Sequence, residues 1–157
     1  MSLRSELNSL PLESVTRRCA HETERFFRRQ AYDPGFCFEL FRRALVDQCQ
    51  QAWECVYAQY QAQVESWVKR HSAFSSCGEE LPYLVNCTFE KMWIALTPDK
   101  FARFSTLPAL LRYLQMCVHS VLLDLVRSVE RSGVVTGLER VDRVGEHSHP
   151  PLETQVL

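Results

Sequence analysis

Residues 107–131, LPALLRYLQMCVHSVLLDLVRSVER, decide the fold predicted for this chain. Their apolar residues recur every three or four positions, the period of an α-helix that buries one face. The apolar residues are Leu107, Leu111, Leu114, Val118, Val121, Leu122, Leu125 and Val129. Pro108 suits a first helical turn, and Ser132-Gly133 predicts the helix end, since glycine accepts the left-handed turn that closes a helix. The stretch therefore predicts a central core helix.

The opposite face of the same predicted helix is polar. Arg112, Gln115, His119, Arg127 and Arg131 recur along it at similar spacing. A solvated surface is the ordinary interpretation of such a face. A ligand-binding surface is the alternative, and the rest of the chain must decide between the two.

Composition narrows the fold class and the possible partners. The chain has 157 residues, with 46% hydrophobic and 24% charged residues, which is ordinary for one globular domain. Five glycines and the lack of alternating apolar and polar residues argue against a sheet, so we expect an all-α, compact multi-helix bundle. The net charge of −1 means that any binding of nucleic acid must come from a local patch.

The seven cysteines predict a reduced protein. No two are spaced as C-x-x-C and their number is odd, so neither a zinc ribbon nor a full set of disulfides is indicated. On apolar helix faces, free cysteines behave as small hydrophobic residues. The first thirty residues are polar and charged, unlike a signal peptide, and no apolar run approaches the ~18 residues of a membrane span. We expect a cytoplasmic protein with no membrane partner.

The rest of the chain is organised around the long helix as three predicted segments. These are an N-terminal helical extension (1–43), a helical domain (44–133) and a flexible tail (134–157). The predicted elements, in order, are a frayed segment 1–10, a helix from Pro11 to about Gln30, a turn at Asp33-Pro34-Gly35, a short helix with Phe38, Phe41 and Leu45, a helix capped by Asp47 and ending near His71, a loop Ser72–Glu80, a helix Leu81–Leu96, and a connector Lys100–Thr106.

Large aromatic residues at helical spacing predict core packing. Trp53, Trp67, Phe89 and Trp93 are the residues expected in the core. Stripes of this kind are interior surfaces more often than platforms on which nucleic-acid bases stack.

The sequence contains no recognisable catalytic constellation. None of the nucleophile, zinc-protease, P-loop or dinucleotide motifs occurs. Cys19 and His21 lie two residues apart, which directs them to different helix faces, and His147 and His149 lie in the predicted tail. We therefore expect neither an enzyme nor a cofactor or metal site.

AWECVYAQY (52–60), YLVNCTFEKMW (83–93) and the long-helix string YLQMCVHSVLLDLVR (113–127) follow one another along the chain. In this order they resemble the polymerase-binding and promoter-melting domain (region 2) of bacterial RNA polymerase sigma factors of the extracytoplasmic-function type. AWECVYAQY, from Ala52 to Tyr60, is similar to the family pattern A-[FW]-x-x-L-Y-x-x-Y. YLVNCTFEKMW, from Tyr83 to Trp93, is similar to D-L-V-Q-[ED]-x-F-x-x-x-W. In the long helix, Tyr113, Leu114, Asp124 and Arg127 fit [WY]-L-x-x-x-x-x-N-x-x-x-D-x-x-R. The resemblance covers about residues 44–131.

The chain departs from this family at positions that matter for function. Tyr83, Asn86 and Cys87 stand where the family carries the acids and glutamine that face the polymerase clamp helices, and Ser120 replaces the family's asparagine. Between positions 99 and 133 there are five basic and three acidic residues, a thin net charge of +2. We also expect the tail to be too short for region 4, the family's second DNA-binding domain.

The resemblance implies a protein that binds the RNA polymerase core at its largest-subunit clamp helices and the opened −10 strand of promoter DNA to initiate transcription. The polymerase-binding residues it implies are Tyr83, Asn86, Cys87 and Glu90. The DNA-binding residues it implies are Phe101, Arg103, Phe104, Arg112, Gln115, His119, Arg127 and Arg131. An anti-sigma factor or another regulatory protein is a further expected partner. The alternative is a regulatory interaction module that keeps the fold but has lost promoter binding.

Overall fold

The structure, a computed structural model, describes residues 3–138, and within that range every regular element is a helix. The predicted all-α class is therefore confirmed. The α-helices are α1 (Leu3–Asn8), α2 (Leu12–Phe27), α3 (Gly35–Leu45), α4 (Gln50–Arg70), α5 (Leu81–Ala95), α6 (Pro98–Phe101) and α7 (Leu107–Leu138), with a 3-10 helix at Phe74–Ser76.

The chain divides into two compact units, which we describe separately. Among the described residues, the first unit contains 3–61 and 96–111, and the second contains 62–95 and 112–138. Both α4 and α7 contribute one part to each unit. The boundaries predicted from the sequence, at 43/44 and 133/134, stay predictions.

The first unit is built on α2, α3 and the first part of α4. A disulfide joins Cys19 of α2 to Cys37 of α3, and the Thr23 hydroxyl lies 3.1 Å from Cys37 Sγ and 3.0 Å from the Tyr60 hydroxyl. A disulfide sulfur carries no hydrogen, so Thr23 donates to Cys37 and the Tyr60 hydroxyl donates to Thr23. The Tyr60 ring also stacks on Phe41 at 5.6 Å. The expectation of reduced thiols is thus wrong for these two cysteines.

A buried carboxylate organises the other side of α3. Glu39 is 3% exposed and accepts hydrogen bonds from Arg42 Nε (2.9 Å) and Arg43 Nε (2.7 Å). Arg43 Nη2 in turn donates to the carbonyl oxygens of Leu7 and Leu10, both at 2.8 Å. These carbonyls lie at and beyond the end of α1, where helical i→i+4 partners run out; the Leu7 carbonyl also accepts the Leu10 N–H at 3.1 Å. Arg43 thereby holds α1 against α3.

The second unit contains the last part of α4, the 3-10 helix, α5 and most of α7. Lys91 of α5 forms an ion pair with Asp124 of α7 (3.1 Å). His71, directly after α4, forms a hydrogen bond with His119 of α7 (2.9 Å). Two polar contacts therefore connect α7 to the other helices of this unit.

Several predicted helix limits differ from the structure. Residues 3–8 form α1 instead of a frayed segment, because the Arg43 guanidinium donates a hydrogen bond to the Leu7 carbonyl at the end of this helix. Asp47 does not cap α4, which begins at Gln50; its carboxylate pairs instead with Arg42 at 3.0 Å. The short helix α6 begins at Pro98, before the predicted connector, and overlaps its first two residues; the Thr97 side chain caps its first turn.

The long helix begins at Leu107 as predicted but does not end at Gly133. It continues to Leu138, since a glycine inside a helix costs only ~1 kcal/mol relative to alanine. Residues 139–157, the rest of the predicted tail, lie outside the described residues.

The predicted core is confirmed for most of the aliphatic positions and for one of the four aromatic ones. Phe89 is buried, but Trp53, Trp67 and Trp93 are half-buried. An indole is large enough to pack partly on the core and still reach solvent at the side of its helix. A prediction from helical spacing alone therefore overestimates the burial of these tryptophans. On α7, Leu107 to Leu122 of the predicted stripe are buried, whereas Leu125 is half-buried and Val129 exposed.

Of the described helices, one is long and apolar enough to cross a membrane by length and composition. It covers residues 107–132, and half of the residues in its most apolar 18-residue stretch are buried inside the protein. The core helix of a soluble protein has the same properties, so this helix is compatible with a soluble protein.

Candidate polymerase and nucleic-acid interfaces

One face of α5 presents the four residues expected to bind polymerase. Tyr83, Asn86 and Glu90 are exposed, and Cys87 is half-buried. The apolar positions of the same string point inward, as Leu84, Val85, Thr88, Phe89 and Met92 are buried. The helix therefore separates a buried face from an outer face that carries a phenol, an amide, a thiol and a carboxylate.

The phenol of this face keeps its proton. A side-chain hydrogen bond with Cys87 raises the pKa of Tyr83, and the charge of Glu79 acts in the same direction. The hydroxyl is therefore held toward Cys87, and the exposed ring is the part of Tyr83 that a partner can contact.

Ile94 extends this face and was missed by the sequence analysis. Its side chain is 68% exposed, the largest value among the exposed bulky hydrophobic residues of the described chain. It follows Cys87 by seven residues, which is two turns of the same helix face. That spacing was visible in the sequence, but exposure of an isoleucine contradicts the usual preference for burial.

The polar face of α7 carries three exposed candidates in the second unit. Arg112, Gln115 and His119 lie three and four residues apart and therefore share one stripe of the helix. Arg127 follows His119 by eight residues, so its side chain is rotated by roughly 80° from that of His119 around the helix axis. Arg131, half-buried, is rotated further, so the five residues form a broad face and not a single line.

Arg127 shares its charge with an acidic neighbour. Its Nη1 lies 3.7 Å from Asp124 Oδ1, and the other oxygen of Asp124 lies 3.1 Å from Lys91 Nζ. The carboxylate thus compensates part of two positive charges. The ion pair places one of the three acids counted in the sequence directly beside a candidate DNA-binding arginine.

Phe101 does not belong to a base-stacking surface. It is 4% exposed, and its ring packs on Phe38 with a centroid distance of 5.1 Å. A base cannot stack on a ring whose faces are covered by protein, so this candidate is wrong. Arg103 is exposed and Phe104 half-buried, and both belong to the first unit.

His119 is half of a histidine pair that sequence reasoning did not anticipate. His71 Nε2 and His119 Nδ1 are 2.9 Å apart, and His71 Nδ1 accepts the Ala73 backbone N–H at 3.0 Å. Burial, and then the proximity of His119, lower the pKa of His71. The His71 ring is therefore biased toward its neutral form.

Comparisons with known proteins do not assign this chain to a family. No family model matches the chain, and neither a curated protein nor a solved structure matches it. The likeness to sigma factors therefore rests on the three strings quoted above.

Between residues 3 and 138, no group of three or more histidine, cysteine, aspartate or glutamate side chains could hold a metal ion. Burial raises the pKa of Cys117 to about 12, so its thiol stays protonated and is a poor ligand or nucleophile. What the exposed faces can do is contact other macromolecules through hydrogen bonds, ring contacts and a few cations.

Proposed function

We propose that this protein is a sigma-factor-like subunit that binds the RNA polymerase core and the opened −10 strand of promoter DNA during transcription initiation. The observation that carries the proposal is the division of the string from Tyr83 to Trp93 into two faces. Its family-like apolar residues Leu84, Val85 and Phe89 are buried, while of the positions that face polymerase in the family Tyr83 and Asn86 are exposed and Cys87 is half-buried.

The long helix supports the same proposal. Tyr113 and Leu114, which fit the family string, are fully buried, whereas Arg112, Gln115 and His119 are exposed. Arginine and glutamine side chains can contact phosphates and base edges from such a face. The DNA surface of the proposal is therefore limited to the α7 residues of the second unit.

A second candidate function is a regulatory interaction module without promoter binding. Two observations favour it: Phe101 is buried, and Arg127 is paired with Asp124. A surface with few available cations releases few counterions on binding and so gains little affinity for phosphates.

Polymerase binding is tested by co-purification of the full chain with purified core enzyme. Tyr83→Ala combined with Asn86→Ala should abolish co-purification and leave the helical circular dichroism signal intact. The control is Glu13→Ala combined with His21→Ala, two exposed positions of α2 in the first unit. Undiminished binding by the α5 variant would reject the site, and failure of the wild type to bind polymerase would reject the proposal.

Promoter binding is tested separately with a template that contains a preformed bubble at the −10 element. We expect salt-sensitive binding only together with polymerase, because the net charge of −1 gives the isolated protein little attraction to DNA. Arg127→Glu should weaken this complex while the protein stays folded. Polymerase binding without any bubble binding would favour the interaction module.

A further inference from the structure

The pair of His71 and His119 fixes the positions of two protons. His71 Nδ1 accepts the backbone N–H of Ala73, so in the neutral ring the proton is on Nε2. This N–H donates to His119 Nδ1, 2.9 Å away. His119 must then carry its own proton on Nε2. The hydrogen bond of one backbone amide thereby sets the tautomers of both imidazoles.

The consequence concerns the exposed ring. His119 lies on the α7 stripe of Arg112 and Gln115, and none of the described residues accepts a hydrogen bond from its Nε2. In an exposed histidine without such a contact, both tautomers interconvert, and Nε2 is a donor for part of the time only. In this pair Nε2 is a permanent donor.

We propose that His71 is a positioning residue that holds His119 in the Nε2–H tautomer, so that His119 donates this proton to a phosphate oxygen of the opened DNA strand. This inference rests on the proposed function, because it names a contact of the same DNA surface. In this proposal His71, which is half-buried, acts through His119 and makes no DNA contact of its own.

Metal binding is the competing use of two close imidazole nitrogens, and the geometry opposes it. A metal ion on His71 Nε2 would move that ring's proton to Nδ1, where it would face the N–H of Ala73. Metal-bound histidines instead donate their second N–H to an acceptor. A backbone donor at that position therefore favours the hydrogen-bonded pair.

The tautomers are measured by nuclear magnetic resonance of the full chain labelled with ¹⁵N-histidine. We expect both rings to show a protonated Nε2 and a bare Nδ1 at neutral pH. His71→Leu should leave His119 with a mixture of tautomers. His71→Gln should preserve the wild-type state, because its amide oxygen can accept from Ala73 and its NH₂ can donate to His119. A tautomer mixture in the wild type, or a shift of both rings on addition of Zn²⁺ alone, would overturn the assignment.

The DNA contact is measured as affinity for the polymerase-bound bubble template. Loss of one hydrogen bond to a phosphate should weaken binding about tenfold in His119→Leu. His71→Leu leaves Nε2 of His119 protonated in only part of the molecules, so it should weaken binding less, by roughly twofold if about half of them carry that proton. His71→Gln should bind like wild type, as should His21→Leu, which removes an exposed histidine from the first unit. The factor by which His119→Leu weakens binding should be the same for different bubble sequences. If the factor depends on the sequence, His119 contacts a base edge, and the proposed phosphate contact is wrong.

The two proposals fail in different ways. If wild-type protein binds the bubble and neither leucine variant weakens it, the role of His119 is wrong while the proposed function stands. If wild-type protein does not bind the bubble with polymerase, promoter binding and the His119 contact both fall. A leucine variant that loses its helical signal is replaced in the comparison by His119→Phe, which keeps a planar ring without the donor.

Discussion

Asp124 and Arg127 form an ion pair within α7, with 3.7 Å between Oδ1 and Nη1. The same carboxylate contacts Lys91 of α5 at 3.1 Å, so one acid serves two cations. In the sigma-factor string these two residues are the aspartate and arginine of D-x-x-R. The pair stabilises the second unit and at the same time lowers the positive charge of the proposed DNA surface.

Removing this acid should strengthen DNA binding. In Asp124→Asn, Arg127 and Lys91 keep their charges without compensation, so we expect tighter binding to the polymerase-bound bubble and a log–log salt slope steeper by up to about one unit. Asp99→Asn, which removes an exposed acid from the first unit, is the matched control. Equal affinity and slope in Asp124→Asn and wild type would show that Arg127 does not contact DNA.

The buried cluster of Glu39 should make the protein sensitive to acid. Burial raises the pKa of Glu39, but the hydrogen bonds and charges of Arg42 and Arg43 outweigh it and leave the pKa below its ordinary value. A lowered pKa contributes stability that is present above the unfolded value of about 4.3 and lost as the pH falls through the folded value. The free energy of unfolding should therefore decrease below about pH 4.3.

Glu39→Gln tests this cluster by urea unfolding at several pH values. At pH 7 the variant should lose about 3 kcal/mol, because two partly buried guanidinium groups lose their carboxylate. Its stability should also fall less steeply than that of wild type in acid. Glu54→Gln, at an exposed position of α4, should behave like wild type. Parallel pH profiles for Glu39→Gln and wild type would contradict the assignment.

The disulfide between Cys19 and Cys37 should contribute to the stability of the first unit. It closes a loop with a sequence separation of 18, for which the loss of unfolded-state entropy is worth about 3 kcal/mol. Reductant should lower the unfolding free energy of wild type by this amount. Cys19→Ala combined with Cys37→Ala should make the protein insensitive to reductant, whereas Cys55→Ala should leave the sensitivity unchanged. A wild-type protein that unfolds identically with and without reductant would refute the bond.

Phe101 should act on stability and not on DNA recognition. Its ring is buried against Phe38, so Phe101→Ala should cost about 3–5 kcal/mol of unfolding free energy. Phe104→Ala, at a half-buried ring, should cost less. Near 10 °C, where the folded fraction stays high, bubble binding by Phe101→Ala should match wild type. Wild-type thermal stability in this variant would show that the ring is not in the core.

Elements with a strong helical period were predictable from the sequence alone. The start of α7 at Leu107 and the exposed positions of Arg112, Gln115 and His119 follow from a stripe that repeats with the turn of the helix. The same holds for the inner face of α5. Periodicity succeeds here because it describes where a side chain lies around its own helix axis, and that depends on local spacing only.

Contacts between distant parts of the chain were decided by the tertiary structure. Cys19 meets Cys37 across 18 residues, Arg43 reaches the Leu7 carbonyl across 36, and His71 meets His119 across 48. The residues near Phe101 in the sequence do not predict that the Phe38 ring packs against it. Spacing along one helix fixes a face, but the partner of that face depends on how the helices pack, and packing places together residues that the sequence keeps far apart.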